Sequence, residues 1–192
     1  MQPKPTVVGR EQEGAVLAAL VAALAGDPFA RFLYPDAAQY HEHFPAFASA
    51  FAGRSFESQA AWMAGAAAAL WLPPGEWPAE IPIVSLIAST VAAPRQAEVF
   101  ELIDLIVSAH PRAPHWYLPL VGVAPELQGR GIGSSLIGAS LAAIDEQRTA
   151  AYFVATSRLV VPLFEKFEFG VERTLRTETS PEVYAMVRPA RK

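Results

Sequence analysis

The apolar run at residues 116–123 leads into a turn where glycine returns at every second position, Gly129, Gly131 and Gly133, and a helix-periodic stretch begins directly behind it. No other feature narrows the possible folds as far. A strand, a turn rich in the residue that tolerates positive φ, and a helix must follow one another there. The glycines also leave backbone N–H groups uncovered. Together with the positive end of the following helix, those groups form a concave donor cluster across Gln128, Gly129, Arg130, Gly131, Ile132, Gly133 and Ser134, suited to a diphosphate. The other reading of the same glycines is a tight turn with no guest. Two familiar phosphate loops do not fit. A P-loop ends in Gly-Lys-Ser/Thr, whereas Gly133 is followed directly by Ser134. The dinucleotide fingerprint is G-x-G-x-x-G, and the spacing here is G-x-G-x-G.

The rest of the chain supplies partners for that unit. Residues 11–25 are rich in Ala and Leu and read as a helix stopped by Gly26 and Pro28, and residues 36–51 read as a second helix capped by Asp36. Residues 27–35 between them read as a loop carrying Phe29, Phe32 and Tyr34. Strands are expected at 6–8, 58–63 and 66–72, with Gly65 near the turn between the last two. Residues 75–82 hold Pro78 and Pro82 and read as a loop, and 83–91 fit a helix or a strand equally well. Residues 98–109 are helical, with Val99, Leu102, Ile103 and Ile106 on one stripe. The back half reads as strand 116–123, helix 131–147, strand 151–155, short helix 161–167, then strands 169–176 and 183–187. The expectation is a single α/β domain over 1–192, a mixed and mostly antiparallel central sheet flanked by helices.

Composition closes off several function classes. At 52 % hydrophobic residues the chain is no disordered segment. The formal net charge is −4 and no run of Lys and Arg occurs, so the basic patch that a nucleic-acid partner requires is missing. There is no cysteine, which removes disulfides, thiolate metal sites and a cysteine nucleophile together. Any acyl transfer is then expected to be direct, and the lack of disulfides suits a cytoplasmic location. The apolar runs at 15–25 and 60–72 fall short of the ~20 residues a bilayer span needs, so no membrane partner is expected. His41 and His43 lie two apart on a helix and point to different faces, and no metal site is expected.

The run Val123-Ala-Pro-Glu-Leu-Gln128-Gly-Arg-Gly-Ile-Gly133 resembles the acetyl-CoA motif of the GNAT superfamily of acetyltransferases, whose core is Gln/Arg-x-x-Gly-x-Gly/Ala; Gln128, Gly131 and Gly133 take the core places. Residues 114–176, from the His115-Trp116-Tyr117-Leu118 run through Ala155-Thr156-Ser157 to Phe169, are similar to the bacterial branch that includes puromycin N-acetyltransferase. The resemblance implies a GNAT fold in which the fourth and fifth strands splay apart. It implies acetyl-CoA as cosubstrate, its diphosphate on the N–H groups of Gln128 to Ser134 and its pantetheine arm along the backbone of Val121, Gly122 and Val123. The implied reaction is direct attack of a small-molecule amine on the thioester, with the Val121 N–H as oxyanion donor. Family members are often dimers, so a monomer or a homodimer is expected.

The chain departs from the family pattern in one place. After the fifth strand the family usually reads Asn-x-Pro-x-Tyr-Glu-x-x-Gly-Phe, and here Val160, Phe164 and Glu168 stand in place of Asn, Tyr and Gly. The Tyr is commonly assigned as the acid that protonates the departing thiolate, and Phe164 has no proton to give. Two readings follow: a slower enzyme, or an acetyl-CoA-binding protein without turnover. His115 reads as a general base or as an exposed strand-start histidine. Tyr117 reads as a relay through water or as packing. Phe29, Phe32 and Tyr34 occupy the segment that closes over acceptors in the family. Trp62, Trp71, Trp77 and Trp116 read as an aromatic acceptor pocket or as core.

Overall fold

The computed structural model describes residues 3–191. Among these described residues seven strands, β1 (Thr6–Val7), β2 (Ala61–Met63), β3 (Ala67–Leu72), β4 (His115–Val123), β5 (Ala150–Ala155), β6 (Gly170–Leu175) and β7 (Val183–Arg188), form a single sheet in the order β1-β2-β3-β4-β5-β7-β6. Every neighbouring pair is antiparallel except β4–β5, which is parallel. A parallel pair needs a crossover, and α6 (Ile132–Asp145) provides it.

Period-two alternation sends the sheet's side chains to two separate cores. On β3, Leu70 and Leu72 join Val16, Leu20, Phe44 and Leu102 beneath α1 (Glu13–Leu24), α2 (Pro28–Leu33), α3 (Ala37–Ala52), α4 (Glu80–Thr90) and α5 (Ala93–Ser108). Ala69 and Trp71 turn the other way, to Leu136, Ile137, Leu141 and Phe164 of α6 and α7 (Val161–Glu165). β3 is therefore buried along its whole length, as a strand covered on both faces must be. α1 lies very close to β4: a Cβ placed on Gly122 would sit 2.5 Å from Ala23 Cβ.

Three segments depart from the reading of the sequence. Residues 27–35 are not a loop throughout, because Asp27 accepts hydrogen bonds from the N–H groups of Phe29 and Ala30 and Pro28 follows it, which starts α2. Residues 83–91 resolve to a helix that begins earlier, at Glu80, and α5 begins at Ala93, ahead of the expected 98, with Pro94 in its first turn. The remaining elements fall within a few residues of expectation. No helix among the described residues is long and apolar enough to cross a membrane.

Candidate active site

β4 and β5 run together only from His115↔Ala150 to Leu118↔Phe153. Beyond that rung both strands continue, β4 to Val123 and β5 to Ala155, without further pairing. Pro119 occupies the place of the next rung and has no N–H to offer it. On the opposite edge, the register of β4 against β3 shifts between Leu70↔Leu120 and Leu72↔Tyr117, leaving one extra residue on β4. A bulge of this kind increases the local twist and bends the strand that carries it, which agrees with the end of pairing to β5.

The main chain at the end of β4 faces the resulting gap. Ala124 N donates to Ala66 O of the β3 side at 2.9 Å, so by alternation Leu120 and Gly122 also face β3, and Val121 and Val123 face the gap. Gln128 Nε2 donates to Val123 O from that side at 3.0 Å. The turn then carries two residues in the left-handed region, Gly129 at φ 73° and Gly131 at φ 78°, and Gly131 is the N-cap of α6. A Cβ at Gly133 would lie 3.2 Å from Val123 Cγ2, so the start of α6 approaches β4 as closely as a glycine permits. Arg130 is exposed in the same turn.

The gap widens into a cleft of ≈ 710 Å³, which falls in the range of about 300–1,000 Å³ usual for small-molecule sites. Gln128, Gly129, Gly131, Ile132, Gly133 and Ser134 line one part, and Val121, Gly122 and Val123 line the middle. The far part is formed by the end of α1, by α2 and by Phe44, Phe47 and Phe51 of α3. The chain thus brings every proposed cofactor residue except Arg130 to one continuous wall.

Of the residues expected at the acceptor, Phe29 lines the cleft. Phe32 and Tyr34 do not, because α2 rotates them away. Phe32 lies beneath the Arg95 guanidinium at 5.0 Å, and the Tyr34 hydroxyl pairs with Thr90 Oγ1 at 2.9 Å. Tyr117 stands between the cleft and a smaller pocket behind it, and burial drives its phenol far above the ordinary range. Trp71 and Trp116 are core, and Trp77 is half-exposed over His110.

His115 is not exposed, as the surface alternative held; it is buried and lines the smaller pocket. Its Nδ1 lies 2.8 Å from Ala113 O, an atom that can only accept, so Nδ1 carries the proton. His115 Nε2 then accepts from His110 Nδ1 at 3.0 Å, which leaves His110 Nε2 unprotonated. Burial, reinforced by His115, pushes His110 down to about 3. Both nitrogens of His115 are thus engaged away from the cleft.

Sequence reasoning passed over Asp27 and gave Thr156 no role. Asp27 lines the cleft, and its Oδ2 accepts from Thr156 Oγ1 at 2.5 Å while Oδ1 takes the two N–H groups at the start of α2. Burial lifts its carboxyl above the usual aspartate range, against the lowering effect of those hydrogen bonds. The Asp27-Pro28 pair was a legible signal, since an N-cap aspartate before proline marks a helix start. Phe164 is buried, stacked on Phe153 at 3.8 Å and edge-on to Phe169 at 5.4 Å. Among the described residues no group of three His, Asp or Glu side chains is placed to hold a metal ion.

No protein-family model matches the chain. Solved structures do. A Corynebacterium glutamicum protein described as histone acetyltransferase HPA2 and related acetyltransferase is 22% identical over 100% of this chain and 98% of its own, with a TM-score of 0.69. The polyamine N-acetyltransferase of Drosophila melanogaster, which forms N-acetylagmatine, is 15% identical over 95% and 97%, with a TM-score of 0.66. Arylalkylamine N-acetyltransferase 2 from Aedes aegypti is 12% identical over 97% and 98%, with a TM-score of 0.64. At these identities the likeness speaks for architecture, and by its architecture this chain has the GNAT acetyltransferase fold.

Proposed function

We propose that the chain is an acetyl-CoA-dependent N-acetyltransferase that acts on the primary amine of a small molecule by direct attack. One observation carries the reading: the unpaired edge of β4 and the glycine turn share one cleft. The residues fit the coenzyme. Val121 presents main-chain groups that β5 does not take, Val123 adds its N–H while its carbonyl accepts from Gln128 Nε2, and half-buried main-chain groups of this kind suit pantetheine amides as partners. The Gln128 N–H is taken by Pro125 O at 3.3 Å, and the turn from Gly129 to Ser134 presents N–H groups at the start of a 14-residue helix, where a diphosphate is favoured. Bound there, the coenzyme supplies an activated acetyl thioester. The Val121 N–H would then stabilise the oxygen that gains negative charge as the amine attacks. The resemblance of residues 114–176 to the puromycin branch agrees with a small-molecule acceptor, and we extend the reading to a cytoplasmic monomer or homodimer.

Thermal shift with coenzyme A, acetyl-CoA, ATP and NAD tests this. A ligand at 100 times its Kd adds about 2.7 kcal/mol, or roughly 5–11 °C for a chain of this size. We expect that shift with the two coenzyme A species alone; its absence ends the reading. Phe164 packs where the family keeps a tyrosine, which leaves one rival to test, a coenzyme-binding protein without turnover. Release of free thiol with a panel of amines separates the two.

A further inference from the structure

The polar content of the far part of the cleft is small. Among the described residues lining the cleft, Asp27 is the sole carboxylate, and Tyr117 is the only other titratable side chain. Around Asp27 the wall is apolar. Phe29, Phe44, Phe47 and Phe51 form a train of rings, with Phe29–Phe47 centroids at 6.3 Å and Phe47–Phe51 at 5.4 Å, and Ile106 and Pro119 complete it. A half-buried carboxylate in such a wall needs partners. Asp27 Oδ1 has two, and Oδ2 has the Thr156 hydroxyl and a further lone pair. Thr156 and Ser157 also line the cleft, just past the end of β5, on the side where the strands diverge.

We propose, resting on the coenzyme reading above, that Asp27 receives the acceptor's ammonium and removes its proton, and that the acceptor is a monoamine on an apolar body of aromatic size. The proton balance is simple. R–NH₃⁺ gives one proton to the Asp27 carboxylate, and the freed lone pair forms the C–N bond to the acetyl carbon. The C–S bond breaks and its electron pair leaves on sulfur. The second proton lost from nitrogen goes to the thiolate through water, and the Asp27 carboxyl returns its own to solvent. Burial raises a carboxyl and lowers an ammonium, so the apolar wall narrows the gap between their proton affinities, and the attraction of the docked pair works against it. Elsewhere around Asp27, the Tyr40 phenol of α3 donates to Val21 O at 2.7 Å and is pushed upward by burial and by Asp27 itself. Arg31 of α2 lies over the Tyr40 ring at 5.9 Å and donates to Pro35 O. Neither takes the place of Asp27 as proton acceptor.

The test uses the full chain, acetyl-CoA, and 2-phenylethylamine, putrescine and the weakly basic 2,2,2-trifluoroethylamine as acceptors, with thiol release as the readout. Asp27→Asn keeps an N-cap oxygen and removes the charge. We expect its kcat/KM for 2-phenylethylamine to fall about 10²–10⁴-fold at pH 7. The coenzyme thermal shift should stay as in the parent, and the loss should shrink as pH rises and with trifluoroethylamine. The parent should prefer 2-phenylethylamine to putrescine, whose second ammonium finds no acid. Thr156→Val is the second variant: it removes a hydrogen bond that lowers the Asp27 carboxyl, so the acid limb of kcat moves to higher pH. Unchanged kcat/KM in Asp27→Asn, an unmoved acid limb in Thr156→Val, or a preference for putrescine overturns the proposal. Coenzyme binding with no amine turned over by the parent overturns it too and leaves the coenzyme cleft standing. Loss of coenzyme binding in the parent overturns the reading beneath it.

Discussion

Replacing Gly122 with alanine tests the contact that sets one wall of the cleft. The new Cβ would stand 2.5 Å from Ala23 Cβ, 3.6 Å from Leu20 Cδ2 and 3.8 Å from Leu24 Cγ. Carbon atoms rest about 3.5–4.0 Å apart, so α1 and β4 must separate by roughly 1–1.5 Å at Ala23. The blocking atom is a Cβ fixed to helix backbone, which no rotamer change can move aside. Overpacking of this kind costs about 1–3 kcal/mol, and removing a glycine from a strand returns about 0.5–1 kcal/mol. A clash fixed to backbone on both sides falls in the upper half of that range, about 2–3 kcal/mol, so the expected net loss is about 1–2.5 kcal/mol, a fall in Tm of roughly 2–10 °C for a domain of this size. Thermal melts followed by circular dichroism, with urea midpoints beside them, measure it. The decisive comparison adds Ala23→Gly. Alone, that change weakens the helix by about 1 kcal/mol. Combined with Gly122→Ala it reopens the space, so the pair should couple favourably by about 1 kcal/mol or more. Strict additivity, or a Gly122→Ala protein as stable as its parent, refutes the contact.

Two further predictions concern chemistry and pH. Phe164→Tyr should speed thiol release, with a ceiling near 30-fold, because expelling a thiolate at pH 7 costs only about 2 kcal/mol; a slower variant would mean that the stack on Phe153 and Phe169 matters more than the missing acid. His110 is held down to about 3 by burial, while an unfolded histidine titrates near 6.5. Below that value the unfolded chain binds the extra proton, so stability should fall as pH drops from 6.5 toward 3, by up to ~1.4 kcal/mol per pH unit. Urea midpoints at pH 7 and pH 5 should differ in the parent and converge in His110→Phe.

How much of this was legible in the sequence depends on how local each signal is. The strand, turn and helix around Gly129, Gly131 and Gly133 could be read because cause and effect lie within a dozen residues. α4 was undecided for a physical reason. Ile83 and Ile87 are buried while Ile81 and Val84 are exposed, so hydrophobicity does not mark its inner face. The short α2 was hidden by its own apolar content; its one stake was the capping carboxylate of Asp27. The far part of the cleft could not be read along the chain at all, since its polar pair, Asp27 and Thr156, is separated by 129 positions and meets only through the fold. His115 misled because a histidine at a strand's first residue suggests solvent, whereas the Ala113 carbonyl and His110 enclose it.

The imino acid at position 119 has one more consequence. A ladder that lacks a hydrogen cannot be zipped by thermal motion and needs no guest to wedge it apart, so the groove stands open in the resting chain. On the proposed reading, a coenzyme would meet no strand-parting step, its on-rate would be set by diffusion and orientation, and its affinity would not be drained by reshaping the host.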